Sequence, residues 1–287
     1  MDSWQFSFEA LGTSWVCDLF EKGTFHDEHQ AKAVFLSRID SFDRIYSRFR
    51  PDSLVSTISQ KEGVYQFPRD ANTLFGLYRQ LYDLTEGRFT PLVGNLMEEI
   101  GYDASYSLKP QSKIHQPPVW DDVLTITDNR ITVKKPVTLD VGAGGKGYLL
   151  DLLGQLLRIY GVLSYCLDAG GDIVYRTKID KTLHVGLEHP HDPKQVIGVA
   201  EIRNDQSICG SAGNRRAWGV YHHLMDPLTL KPVDAYLASW VIADSGLLAD
   251  SLTTAIMLVE PEIIQQTFRF EYLLVRPDFS IKKSENF

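Results

Sequence analysis

Asp250 and Thr254 stand one helical turn apart in ADSLTTA (249–255). A carboxylate and a hydroxyl at that spacing can both offer oxygen to a hard cation such as Mg²⁺. The surrounding stretch, SGLLADSLTTAIMLV (245–259), carries an apolar stripe at Leu248, Leu252, Ala255 and Val259, which predicts a helix with Asp250 and Thr254 on the opposite face. A solvated face is the plain alternative. That face, however, holds two short oxygen side chains and no Lys or Glu. Magnesium keeps few protein ligands and takes phosphate oxygens besides, so a metal reading implies an anionic substrate.

A second stretch, LDVGAGGKGYLLD (139–151), places four glycines and Lys146 between an apolar run and a leucine-rich one. Gly142, Gly144 and Gly147 spell G-x-G-x-x-G, and Asp168 follows about 20 residues on, as in a dinucleotide-binding unit. A phosphate loop of the Walker type fails on spacing, because Gly147 and no hydroxyl follows Lys146. A tight turn with glycines at positive φ and close helix–strand packing is the structural reading. Asp140 precedes the glycines, and Lys146 sits at a predicted helix start, where backbone N–H groups favour anions. LDAGGDIV then ends a predicted strand in Gly170 and Gly171, a second place for a ligand against bare backbone.

Downstream, SICGSAGNRRAWGVYHHLMDPLTLKP gathers Ser211, Asn214, Arg215, Arg216, His222, His223, Asp226 and Thr229. Adjacent histidines in a strand face opposite ways, so His222 and His223 cannot both enter one site easily. A polar loop with a satisfied histidine is the bland reading of this segment.

The elements that would position these groups are legible in outline. Residues 4–20 suggest a first strand, and residues 26–49 and 70–87 two helices, the second closed by Gly87. A loop rich in Ser, Pro and Lys covers 103–120, VLTITDNRITVKK forms a hairpin, and the whole of 103–135 reads as an excursion from one domain spanning 1–287. VTLDV, SYCLD, LHVGLE, QVIGVAEI, SWVIA and YLLVRP read as strands, and 148–160 as a buried helix. Strands and helices mix without strict alternation, which predicts an α+β (mixed α/β) fold with sheets flanked by helices. Composition agrees with a globular chain: 287 residues, 44% hydrophobic. A net charge of −8 without a basic run argues against nucleic acid. The three scattered cysteines argue against a disulfide framework or a thiolate zinc site, and no apolar run is long enough to span a membrane. The start of the chain lacks a signal-peptide pattern, so a cytoplasmic location is the expectation.

Taken in order, seven stretches resemble the ApbE family of flavin transferases, which move FMN from FAD onto a protein. EALGTSW is similar to its Met-Gly-Thr motif, with Leu11 for Met. DRIYSRFRPDSLVSTIS resembles its Ser-x-Tyr…Ser segment ending in Asn, with Phe49 for Tyr and Ser59 for Asn. EGRFTPLVG resembles Gly-x-Phe-Asp-Pro, with Thr90 for Asp. LDVGAGGKGYLLD, LDAGGDI, HHLMDPLTLKP (with Leu230 for Gly) and ADSLTTA are similar to the family's remaining motifs. The resemblance implies that Asp140 and Lys146 contact the flavin nucleotide, with Leu11, Phe49, Arg88, Phe89, Thr90, Gly170, Gly171 and Leu224 around it. It implies that the Ala143 carbonyl, Asp250 and Thr254 hold Mg²⁺, with FAD as substrate and a protein Ser or Thr hydroxyl as acceptor. In such a reaction His223 is the candidate proton acceptor, since the ordinary histidine pKa lies near neutrality, with Lys146 as fixed charge and Asp226 as orienting group. A flavin-binding or FAD-hydrolysing protein without an acceptor, and an NAD oxidoreductase, are the competing readings.

Overall fold

The computed structural model describes residues 3–287, and its main sheet starts from a hairpin. β1 (Trp4–Ala10) and β2 (Thr13–Leu19) pair antiparallel where the sequence pattern suggested one strand. Leu11 and Gly12 make the two-residue turn, both at positive φ (51° and 74°), the geometry that matches strand twist in tight hairpins. Leucine is a poor residue for it, so the pattern hid the turn.

The chain then runs through α1 (Glu28–Tyr46), β3 (Gly63–Gln66) and α2 (Ala71–Leu84). β4 (Leu124–Thr127) and β5 (Arg130–Val133) follow, then α3 (Gly142–Ile159), β6 (Tyr165–Ala169) and β7 (Ile173–Arg176). β8 (Leu183–His189) and β9 (Asp192–Ile202) form a separate hairpin. β10 (Gln206–Ala212), β11 (Ala238–Ala243), α4 (Gly246–Leu258), β12 (Glu271–Val275) and β13 (Ile281–Lys283) complete the order. The eight-stranded sheet runs β1-β2-β6-β7-β10-β11-β12-β13. Among the described residues every neighbouring pair in it is antiparallel. The fold is α+β, and the dinucleotide-binding reading fails here, because that unit needs parallel strands on either side of its helix. The expected strand VTLDV is instead an extended connection, tied by Asp140 N to Pro91 O (2.8 Å) and by Thr138 N to Asn95 Oδ1 (2.9 Å).

Alternation along the strands buries both faces of the sheet. Leu167, Cys209, Val241 and Leu274 face the larger core, shared with α1, α2, α3 and α4. Their neighbours Cys166, Ile208, Trp240 and Leu273 face a second core under the β8–β9 hairpin. All three cysteines are buried and free, and burial raises their thiol pKa values, that of Cys166 to about 12. The 124–133 hairpin pairs with β3 in a three-stranded sheet and sends Leu124, Ile131 and Val133 into the main core. No helix among the described residues is long and apolar enough to cross a membrane.

The glycine stretch is helical rather than a turn. Gly142, Gly144, Gly145 and Gly147 lie inside α3, none at positive φ, which corrects the turn expected there and puts Lys146 in the helix's second turn. Their use is close approach. A Cβ on Gly147 would strike the Gly246 carbonyl and come within 2.7 Å of the Asp250 Cβ, so α3 and α4 can touch only because that Cβ is missing. Gly147→Ala is expected to lower stability by about 2 kcal/mol, as overpacking in a tight core does, read from urea unfolding.

Candidate functional site

The contact between α3 and α4 delivers Asp250. Gly147 N donates to Asp250 Oδ2 at 2.9 Å, holding the carboxylate against the first turns of α3, four residues beyond Ala143. Asp250 is 5% exposed, and burial raises its pKa, opposed chiefly by the charge of Lys146. Among the described residues it has no ion pair. A buried carboxylate left without one calls for a cation. Ala143, Asp250 and Thr254 all line one cavity of about 1000 Å³, and their carbonyl, carboxylate and hydroxyl form an oxygen-only set suited to a hard divalent ion. The residues present therefore fit magnesium. The solvated-face reading of this helix fails, since α4 is buried nearly all round, Ser251 and Thr253 included.

Lys146 also lines the cavity, and its ammonium pairs with Asp172, whose side chain is 1% exposed. Asp172 accepts Gly210 N as well (3.2 Å). It is the last acidic residue of LDAGGDI, and that motif is the signal in the sequence for it. Lys146→Met is expected to cost about 3 kcal/mol of stability by stranding a buried carboxylate. The measurement is a denaturant melt compared with the Lys146→Met/Asp172→Asn double variant, which restores part of the loss. Gly170 and Gly171 sit at φ 71° and 101° in a turn that brings their backbone to the cavity, with Gly171 N donating to Asp168 Oδ1 (2.7 Å). Asp168 lines the same cavity, and burial raises its pKa.

Part of the cavity lining is aromatic. Phe49 and Tyr102 meet edge to face at 5.5 Å, Tyr106 stacks on Phe49 at 5.6 Å, and Arg216 donates to Tyr102 Oη at 2.5 Å. Phe89 is buried against Tyr78 and lines the cavity. Thr90 serves as a cap, its Oγ1 accepting Leu92 N (3.1 Å) at the start of the short turn Pro91–Val93. Asp140 lies between the aromatic wall and the glycine helix. Leu224, also buried, completes this side. Leu11 is half-buried on the main core, while its neighbours Gly12, Thr13 and Ser14 reach the cavity. Tyr102 and Arg48 were not singled out in the sequence, since nothing in periodicity marks them.

The two histidines separate because the strand Tyr221–His222 ends at the first of them and His223 lies in the bend beyond it. His222 is tied into its own loop, Nε2 to Val233 O at 3.0 Å and Nδ1 accepting Leu224 N at 3.2 Å. His223 lines the cavity with its Nδ1 buried and unpartnered. Burial pushes its pKa down to about 3, helped by the charges of Arg216 and His222, so the near-neutral value expected for it does not hold. Asp226 does not line the cavity. It accepts Leu228 N (2.9 Å) and pairs with Arg88 (3.4 Å), which does line the cavity, so it reaches the site through Arg88. Leu230 takes φ 58° in that loop, the conformation glycine adopts freely. The side chain of Arg215 lies outside the described residues.

Fold and site together define an α+β protein whose main cavity joins an aromatic wall, a fixed ammonium and an oxygen set for a hard cation. The chain belongs to the ApbE family, whose model matches residues 11–273. Among curated relatives, the FAD:protein FMN transferase of Treponema pallidum is 25% identical over 314 residues, 96% of this chain and 85% of its own length. That of Rhodobacter capsulatus is 28% identical over 249 residues, 81% of this chain, and the chain spans 47% of that relative's length. The fold matches the ApbE protein of Thermotoga maritima with a TM-score of 0.82 at 20% identity, over 99% of this chain and 97% of that one. It matches the apo flavinyl transferase ApbE of Pseudomonas stutzeri with 0.81 at 19% identity, over 99% and 96%.

Proposed function

We propose that this chain transfers the FMN part of FAD to a Ser or Thr hydroxyl of an acceptor protein, with magnesium bound and AMP released. The observation that carries the reading is Asp250, a buried carboxylate that among the described residues has no ion pair, lining a cavity alongside Ala143 and Thr254. Family membership and the names of the curated relatives support it.

In the reaction the acceptor oxygen bonds to the FMN-side phosphorus, the bond from that phosphorus to the bridging diphosphate oxygen breaks, and AMP leaves with that oxygen. The hydroxyl proton goes to His223, whose neutral imidazole has a free nitrogen. Lys146, held by Asp172, sets a positive charge beside the phosphoryl oxygens as they gain charge. Phe49 and Tyr102 line the cavity with aromatic surface for the flavin, and Gly170 and Gly171 let the ligand approach bare backbone. Ala143, Asp250 and Thr254 would hold the magnesium, which supplies Lewis-acid stabilisation of a diphosphate.

Incubation with FAD and MgCl₂ tests this. Slow, metal-dependent appearance of AMP and FMN is expected without any acceptor, and an FMN-sized mass on Ser or Thr of a partner protein with one. Unchanged FAD would leave a flavin-binding protein, and FMN that never reaches a protein a hydrolase. Lys146→Met should also weaken FAD binding by about tenfold in a flavin fluorescence titration.

A further inference from the structure

We infer that Arg48 is a positioning residue of this site, fixing the Asp140 carboxylate and the aromatic wall with one guanidinium. The inference rests on the flavin-transfer reading. Arg48 follows α1 directly, and its side chain is 3% exposed. Its Nε donates to Asp140 Oδ2 at 2.6 Å, and Asp140 Oδ1 accepts the amide of Gly142 at 2.7 Å. Gly142 is the first residue of α3 and precedes Ala143. An unbroken chain of hydrogen bonds therefore joins Arg48 to the backbone that presents the Ala143 carbonyl.

The same guanidinium lies over two rings of the lining, 4.1 Å from the Phe49 centroid and 5.0 Å from that of Tyr102. One planar group thus holds both the Asp140 carboxylate and these rings. Lysine could keep the ion pair but has no plane to lay on the rings.

A folding role alone does not account for this arrangement. Nη1 and Nη2 are buried and have no hydrogen-bond partner among the described residues, and Glu98, a carboxyl in the field of Arg48, does not supply one. A buried charge with one hydrogen-bonded partner and two idle nitrogens is a poor stabiliser, and an apolar side chain of similar volume would fill the space as well. What the apolar residue lacks is the grip on Asp140.

The test compares wild type with Arg48→Met, Asp140→Asn and the double variant. Each protein is titrated with FAD in MgCl₂ by flavin fluorescence, and the visible absorption of the bound flavin is recorded. Arg48→Met and Asp140→Asn should each weaken binding about tenfold, and the double variant should be no weaker than the worse single one, because both break one chain. The flavin band should also move in Arg48→Met, a change that altered stability alone would not produce. A wild-type Kd in Arg48→Met, or losses that multiply in the double variant, overturns the inference. If Arg48→Met lacks a cooperative melt, Arg48→Lys decides: it should still lose several-fold in affinity, and a wild-type Kd there overturns the inference equally. Wild-type protein that does not bind FAD overturns both this inference and the function proposed above; wild-type binding with unaffected variants overturns this one alone.

Discussion

Asp250→Ala is expected to lower metal-dependent AMP release from FAD by roughly a thousandfold, the several kcal/mol that a bound cation contributes to charge stabilisation. The fold should survive the change in a milder form. Asp250 accepts Gly147 N, a hydrogen bond that an amide oxygen can replace, takes a further backbone hydrogen bond from Lys146, and has no ion pair among the described residues. Asp250→Asn keeps that acceptor and removes the charge, so without metal it should melt no lower than wild type, while losing any upward shift of the melt on adding MgCl₂. A metal-free melt well below wild type would instead make Asp250 a structural residue that fastens α3 to α4. Full activity in Asp250→Ala would end the metal assignment.

This helix also shows how far sequence pattern reaches. Period 3.6 found α4 and put Asp250 and Thr254 on one face. It could not say whether that face met water or a cavity, because the answer lies in what packs opposite: α3, brought close by the bare Gly147. The glycines are visible in the sequence as a turn, whereas Gly144 and Gly147 serve the close contact of α3 with α4. A turn needs positive φ and a helix contact needs a missing Cβ, and one residue type serves both. The first hairpin was missed for the converse reason, since Leu11 takes a backbone angle that its side chain gives no sign of. Motif order located His223, Lys146 and Asp140, yet the charges around each come from distant segments. Arg216 and His222 lie against His223, Asp172 against Lys146, and Arg48 lies 92 residues from Asp140. Such pairings depend on the tertiary fold and leave no local period.

His223→Gln is expected to reduce transfer by about a hundredfold or more, the usual contribution of a positioned proton acceptor. The pH dependence distinguishes this role from a merely steric one. In the free protein His223 stays neutral down to about pH 3, because its ring is buried beside Arg216, His222 and Lys146. The profile of kcat/KM, which reports free-enzyme groups, should therefore show no histidine inflection between about pH 5 and 8. The profile of kcat should carry its acid limb at higher pH than kcat/KM does, since a bound diphosphate brings negative charge to the ring and favours the imidazolium. Stability should follow the same shift with a definite sign. Between the ordinary value and about 3 the unfolded chain binds the proton and the folded one does not, so His223 removes stability as pH falls through that window. His222, also lowered by burial, acts in the same direction, whereas Asp151, Asp168 and Asp250, raised by burial, act oppositely. The difference between wild type and His223→Gln isolates the one term, and the variant should lose less stability on acidification. A kcat/KM inflection near pH 6.5 that disappears in His223→Gln would mean that the ring titrates freely in solution, and the closed, partnerless environment of Nδ1 would then not describe the free protein.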